Sequence, residues 1–193
     1  AWMVRRCWLH RSCMSLSAAR RPEINLHLHE KQGQAFQSVG TEILYGGAAG
    51  GGKSHLFRVA AIVWCMAIRG LQVYIFRRTF PDLWKNHMEG VGAFPDLLAG
   101  LVRAKYVRIN ESKGQIRFWN GSVIHLCHCQ YEKDVYSYQG AEIHVLIIDE
   151  LTQWLASMYR YLRGRVRIGG LKLPRQYAGT FPRGAGCMIS SAC

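Results

Sequence analysis

The spacing of apolar residues changes rhythm several times along the chain. "TEILYG" (41–46) and "LQVYIFRR" (71–78) are short runs rich in Ile, Leu, Val, Tyr and Phe, and both predict strands. Between them, "SHLFRVAAIVWCMAIR" (54–69) is a helix-length apolar stretch without glycine or proline, and Gly70 stops it. Residues 81–101 predict a further helical stretch, interrupted between Gly90 and Pro95. "AKYVRIN", "QIRFWN" and "SVIHLCHC" then predict strands, the last two joined by Asn120-Gly121, a strong hairpin signal. "HVLIIDE" (144–150) is an almost unbroken apolar run, as expected of a strand covered on both faces. A helix is expected over about 151–162. The order β-α-β-α, hairpin, β-α predicts an α/β fold, a mainly parallel sheet flanked by helices. Residues 110–129 are expected as an inserted β-hairpin beside that sheet.

Composition narrows the picture. With 193 residues, 49% of them hydrophobic, the chain can bury the core of about one domain. No apolar run approaches the roughly 18 residues of a membrane span, so no membrane role is expected. The formal net charge of +13 points to a polyanionic partner, nucleic acid above all. Seven cysteines, an odd number, and no secretory signal predict a reduced, intracellular, non-secreted chain. "HLCHC" (125–129) invites a zinc reading, but no second Cys/His pair at finger spacing completes four ligands, and a half-buried strand is the better expectation. Residues 1–22 are basic and lack acids, and are expected to be an extension of the domain that begins at Glu23. The start at Ala1 and the apolar ending "GAGCMISSAC" predict a fragment, with the domain over 23–193 incomplete at its C-terminus.

The chemistry concentrates at two places. Gly47 to Ser54 reads G-x-x-x-x-G-K-S between a predicted strand and a predicted helix. Gly47, Gly50, Gly51 and Gly52 let the backbone curl so that its N–H groups surround phosphate oxygens. The helix N-terminus behind the loop favours the same anion. Lys53 is expected at the β- and γ-phosphates of ATP, and Ser54 at Mg²⁺. The second place is the tip of "HVLIIDE", where open α/β sheets bind ligands. Asp149 is expected to hold the metal and Glu150 to polarise the attacking water. The structural alternative for Glu150 is an acid at the N-terminus of the helix starting at Leu151.

These residues resemble a known family, the large terminase subunit of tailed bacteriophages. "LHEKQGQAF" (28–36), "ILYGGAAGGGKS", "YIFRRTFPDL" (74–83), "YSYQGAEIHVLIIDELTQW" (136–154) and "LRGRVR" (162–167) carry the likeness. It implies a P-loop NTPase of the additional-strand catalytic-glutamate class, turning ATP hydrolysis into translocation of double-stranded DNA into a capsid. It also implies Gln32 as the adenine reader, a homo-oligomeric ring, a small terminase subunit and a portal as partners, and host cytoplasm with transient docking on the procapsid. The family's C-terminal nuclease domain has no counterpart in this sequence. Where some relatives carry an arginine finger this chain has Gln139, which leaves Arg77, Arg78, Arg163 and Arg165 as candidates for finger or DNA contact. Two other readings are a helicase- or recombinase-like DNA-dependent ATPase and a nucleotide-binding assembly module without turnover.

Overall fold

In the computed structural model, residues 2–3, 24, 26–38, 40–47, 52–167, 169, 171 and 186–192 are described, with 2–3, 47 and 186–192 as backbone. The basic extension 1–22 falls outside them except for Trp2–Met3 (β1), which pairs antiparallel with His27–Leu28 (β2). Helix α1 (Glu30–Phe36) and strand β3 (Glu42–Gly47) follow. Helix α2 spans Lys53–Ala67, β4 Gln72–Arg77, α3 Phe80–His87 and α4 Phe94–Arg103. Next come β5 (Val107–Asn110), β6 (Gln115–Phe118) and β7 (Val123–His128). Strand β8 (Val145–Ile148), α5 (Ala156–Arg163) and β9 (Gly186–Ala192) complete the order.

Seven strands form one sheet in the order β3-β9-β8-β4-β7-β6-β5. From β3 to β7 the neighbours are parallel, and β6 and β5 extend the edge antiparallel. All four residues of β8 are buried, because β4 and β9 flank it and side chains pack on both faces. One face carries Val73, Ile75, Val145 and Ile147 against α2, whose Leu56, Phe57, Ile62 and Trp64 have no exposed surface. A helix apolar on every side is a core helix. Each of those side chains contributes about 1.5–3 kcal/mol by burial. The opposite face carries Phe76, Leu146 and Ile148 against α5.

Two expectations need correction. The stretch 110–129 does form a hairpin, β6–β7, but within the sheet rather than beside it, since β7 hydrogen-bonds along β4 as an interior strand and β6 and β5 continue outward from it. Asn120 and Ser122 account for this docking. The Asn120 amide donates to the Cys65 carbonyl at 2.8 Å, and the Ser122 hydroxyl donates to the Ile68 carbonyl at 2.6 Å, so the hairpin turn caps the end of α2. Nor is 151–162 one helix. A three-residue 3₁₀ turn, Leu151–Gln153, precedes α5, with extended backbone at Trp154 and Leu155 between them.

"HLCHC" lies on β7 and just beyond, with Cys127 and Cys129 buried in the second core, where burial pushes both thiols up to about 12. On the same strand His125 stacks on Tyr74 (ring centroids 4.2 Å apart), with Gln72 Oε1 at 2.9 Å from Nε2. Burial, then the nearby Arg117 charge, lowers its imidazole from 6.5 to about 4. The unfolded chain therefore binds a proton that the folded chain refuses between those values. Stability conferred by neutral His125 is full above the unfolded value of 6.5 and is lost as pH falls toward about 4. One proton gives at most about 1.4 kcal/mol per pH unit, less here because the ring is partly solvated. Denaturant melts at pH 7.5 and 5.5 are expected to differ less for His125→Asn than for the unaltered chain. An equal difference would refute this assignment.

Candidate functional site

The glycine-rich loop joins the C-terminal end of β3 to the first turn of α2. Residues 48–51 are outside those described, so Gly50 and Gly51 are not placed, while Gly47 ends β3. Gly52 caps α2 in the left-handed region, φ 68°. The positive φ favours glycine, and a Cβ there would lie 2.4 Å from Gln32 Nε2, so a side chain would also push the Gln32 amide off its place. Lys53 and Ser54 occupy the first turn, and Lys53 is only 8% exposed.

Asp149 and Glu150 follow β8 directly. The Asp149 N–H donates to the Phe76 carbonyl at 3.0 Å, which sets the tip of β8 beside the tip of β4. Asp149 has no exposed surface, and its Oδ2 gathers several donors. Ser54 Oγ donates to it at 3.0 Å, Asn86 Nδ2 at 2.9 Å and Arg77 Nε at 3.1 Å, while His87 Nε2 lies 3.5 Å away. Asn86 Nδ2 also donates to Ser54 Oγ at 2.8 Å. Glu150 adopts φ 60°, a left-handed conformation that costs a non-glycine residue roughly 1–2 kcal/mol. Its carboxylate lies 3.7 Å from Arg77 Nη2. Strain of this kind persists where surrounding contacts over-determine it, and it gathers at functional sites. With only a 3₁₀ turn following, the alternative reading of Glu150 as an acid on the dipole of a long helix loses its helix.

The sequence-derived residues fall into place unevenly. The structure brings Ser54 and Asp149 into contact, joining the two motifs across 95 positions of chain. Gln32 is buried in α1, only 2% exposed. Its Oε1 accepts from the His29 N–H at 2.9 Å, and its Nε2 donates to the Gly52 carbonyl at 2.7 Å, tying α1 to the loop. His55 points away, with Nε2 2.8 Å from the His27 carbonyl oxygen. Among the arginines, Arg77 sits on the two carboxylates of its own chain. Arg78 donates to the Cys129 carbonyl at 3.1 Å and contacts Met158 Sδ. Arg163 pairs with Glu42, and Arg165 lies over the Tyr161 ring, 4.6 Å from its centroid. Tyr138 packs edge-on to Phe76 within the second core, whereas Tyr136 is exposed and meets Tyr161.

Asn86, His87 and Arg58 were not foreseen. Arg58 Nη1 donates to the Asn86 carbonyl at 2.7 Å, fixing α3 against α2. Burial lowers the Arg58 and His87 values, and the Asp149 charge opposes the shift in both. No local signal marks these residues, since Asn86 reads as an ordinary polar position on a short helix.

A hydroxyl and a buried carboxylate oxygen 3.0 Å apart form a hard oxygen donor pair, the chemistry Mg²⁺ prefers. The Arg77 guanidinium on the same oxygen shows that the spot attracts positive charge.

No curated protein sequence matches the chain. Among solved structures, the large terminase from a thermophilic bacteriophage superimposes with a TM-score of 0.59 at 14% identity, covering 84% of this chain and 38% of that one. It has also been solved with ATP-γ-S. The HK97 bacteriophage large terminase gives 0.63 at 10% identity, covering 87% and 33%. The ATPase domain of the Thermus phage P74-26 large terminase gives 0.55 at 15% identity, covering 86% and 66%. The chain thus spans 38% and 33% of the length of the first two proteins. Similarity at this level speaks for the fold. The family description "Terminase large subunit, T4likevirus-type, N-terminal" matches residues 44–185, from within β3 to just before β9. That match takes in both the glycine-rich loop and the Asp149-Glu150 pair, and on it the chain belongs to the large terminase subunit family, in its N-terminal region.

Proposed function

We propose that this chain is the ATP-hydrolysing motor domain of a phage DNA-packaging terminase. The observation that carries the reading is the 3.0 Å contact between Ser54 and Asp149, which makes the glycine-rich loop and the acidic strand tip one site. Gly47, Gly50, Gly51, Gly52 and Lys53 bind the triphosphate, and Gln32, hydrogen-bonded to the Gly52 carbonyl, reads the adenine. Ser54 and Asp149 hold Mg²⁺, which neutralises phosphate charge when bound. Glu150 orients a water in line with the γ-phosphorus and takes its proton. The complex of the thermophilic phage protein with ATP-γ-S supports the nucleotide class.

Arg77 lies against both carboxylates, its Nε 3.1 Å from Asp149 Oδ2 and its Nη2 3.7 Å from Glu150 Oε1, and offsets part of their negative charge. Arg160, Arg163, Arg165 and Arg167 form the basic segment proposed to meet duplex DNA phosphates, with affinity falling steeply as salt rises. A homo-oligomeric ring, the small subunit, the portal and docking on the procapsid in the host cytoplasm belong to the same proposal.

The test is ATP hydrolysis by the 193-residue chain with duplex and with single-stranded DNA. Mg²⁺-dependent turnover raised by duplex DNA is expected, with Lys53→Ala lowering it about 10²–10³-fold, as for loss of one preorganised charge partner. Stimulation by single strands alone would instead favour the helicase-like reading.

A further inference from the structure

Resting on the reading of Ser54 and Asp149 as the oxygen donors to Mg²⁺, we infer that Asn86 is a positioning residue for the metal. It fixes the Ser54 hydroxyl so that one lone pair faces the cation. Asn86 Nδ2, Ser54 Oγ and Asp149 Oδ2 form a closed triangle with sides of 2.8, 2.9 and 3.0 Å. A carboxylate only accepts, so the amide nitrogen of Asn86, not its oxygen, must face Asp149. That nitrogen has two hydrogens, one for each partner. Ser54 therefore accepts from Asn86, and its single proton is directed to Asp149 Oδ2. A hydroxyl oxygen has two lone pairs. Asn86 takes one, and the other stays open. Without Asn86 the hydroxyl is free to turn among its staggered positions, and the buried carboxylate loses one of its donors.

The amide is itself held in place. Asn86 lies in the last turn of α3, a helix capped by Thr79, whose Oγ1 accepts from the Asp82 N–H at 3.3 Å. The carbonyl of Asn86 takes the 2.7 Å bond from Arg58, and the neighbouring His87 is buried against Asp149 and stacked on Phe94. The same helix end thus aims an amide and an imidazole at one carboxylate. Partners of this kind orient metal ligands, and their loss typically weakens metal affinity 10–100-fold. Asn86 touches neither nucleotide phosphates nor the reacting water in this reading, so it acts through its two partners.

The experiment titrates a fluorescent, non-hydrolysable ATP analogue into the 193-residue chain, in EDTA and at graded Mg²⁺, for the unaltered chain, Asn86→Ala and Asn86→Leu. Alanine favours the helix, and leucine keeps most of the volume, so two folded variants are available. The Mg²⁺ concentration giving half of the metal-dependent gain in affinity is expected to rise about 10–100-fold in both variants. Affinity in EDTA is expected to stay within about twofold, because a residue with a merely structural role would weaken both. Mn²⁺ binding followed by electron paramagnetic resonance in the presence of the analogue should weaken in parallel. An unchanged Mg²⁺ requirement, or equal losses with and without metal, overturns the assignment of Asn86 while leaving the nucleotide site intact. Failure of the unaltered chain to bind the analogue overturns the site reading itself, and this inference with it.

Discussion

Glu150→Gln is expected to lower ATP turnover about 10²–10⁴-fold while leaving binding of Mg²⁺ and nucleotide within about threefold. Glutamine keeps the shape of the side chain and can still meet Arg77, which lies 3.7 Å from the carboxylate. What it cannot do is take a proton from water. Glu150 also occupies φ 60°, so its direction is fixed by backbone rather than by a rotamer choice alone. The strain is the same in the variant, and stability should therefore change little. Multiple-turnover phosphate release and analogue binding, measured side by side, check both halves of the expectation. Turnover within about threefold of the unaltered chain would remove Glu150 from the chemistry and favour a nucleotide-binding module.

Asp149→Ala should have a different signature, in which stability and metal dependence fall together. Three donors within 3.1 Å converge on Oδ2, from Ser54, Asn86 and Arg77. Removing a fully buried charged acceptor leaves those donors without it, at a cost of about 2–4 kcal/mol, reduced from the fully buried case because Arg77 can turn toward Glu150 or water. For a chain of this size that is a fall of roughly 4–16 °C in Tm. The gain in nucleotide affinity on adding Mg²⁺ should vanish, because one of two oxygen donors is gone. Thermal melts with and without Mg²⁺ and nucleotide read both effects. A normal Mg²⁺-dependent rise in Tm would show that the metal is held elsewhere. The contrast with Glu150→Gln separates holding the cation from activating the water.

Much of the local structure was legible in the sequence, and the reason is the range of the forces involved. Gly70 with φ 75° ends the turn after α2 as expected, because positive φ is a property of one residue and glycine adopts it freely. The positions of β3, β4, β7 and β8 followed from apolar runs whose length and residue types depend only on which faces are covered. The glycine-rich loop and the Asp149-Glu150 pair were visible for the same reason, each being contiguous in the chain. The apolar ending, by contrast, was assigned no element from its residues, and it forms β9.

The sequence by itself determined the elements, the α/β class and two separate chemical motifs. The tertiary structure decided which strands are neighbours, and with that the site. Placing β9 between β3 and β8, and β4 beside β8, puts Arg77 and Asp149 at adjacent strand tips. No local pattern encodes that order, which depends on the summed burial of both sheet faces. Asn86 and His87 entered the site only because α3 returns across the mouth of the sheet, and the break after Glu150 arose where Trp154 turned into the second core. Residues adjacent in sequence constrain one another through dihedral angles and hydrogen bonds a few ångströms long. Residues 63 and 72 positions apart, as Asn86 and Arg77 are from Asp149, meet only after the whole sheet has chosen its order.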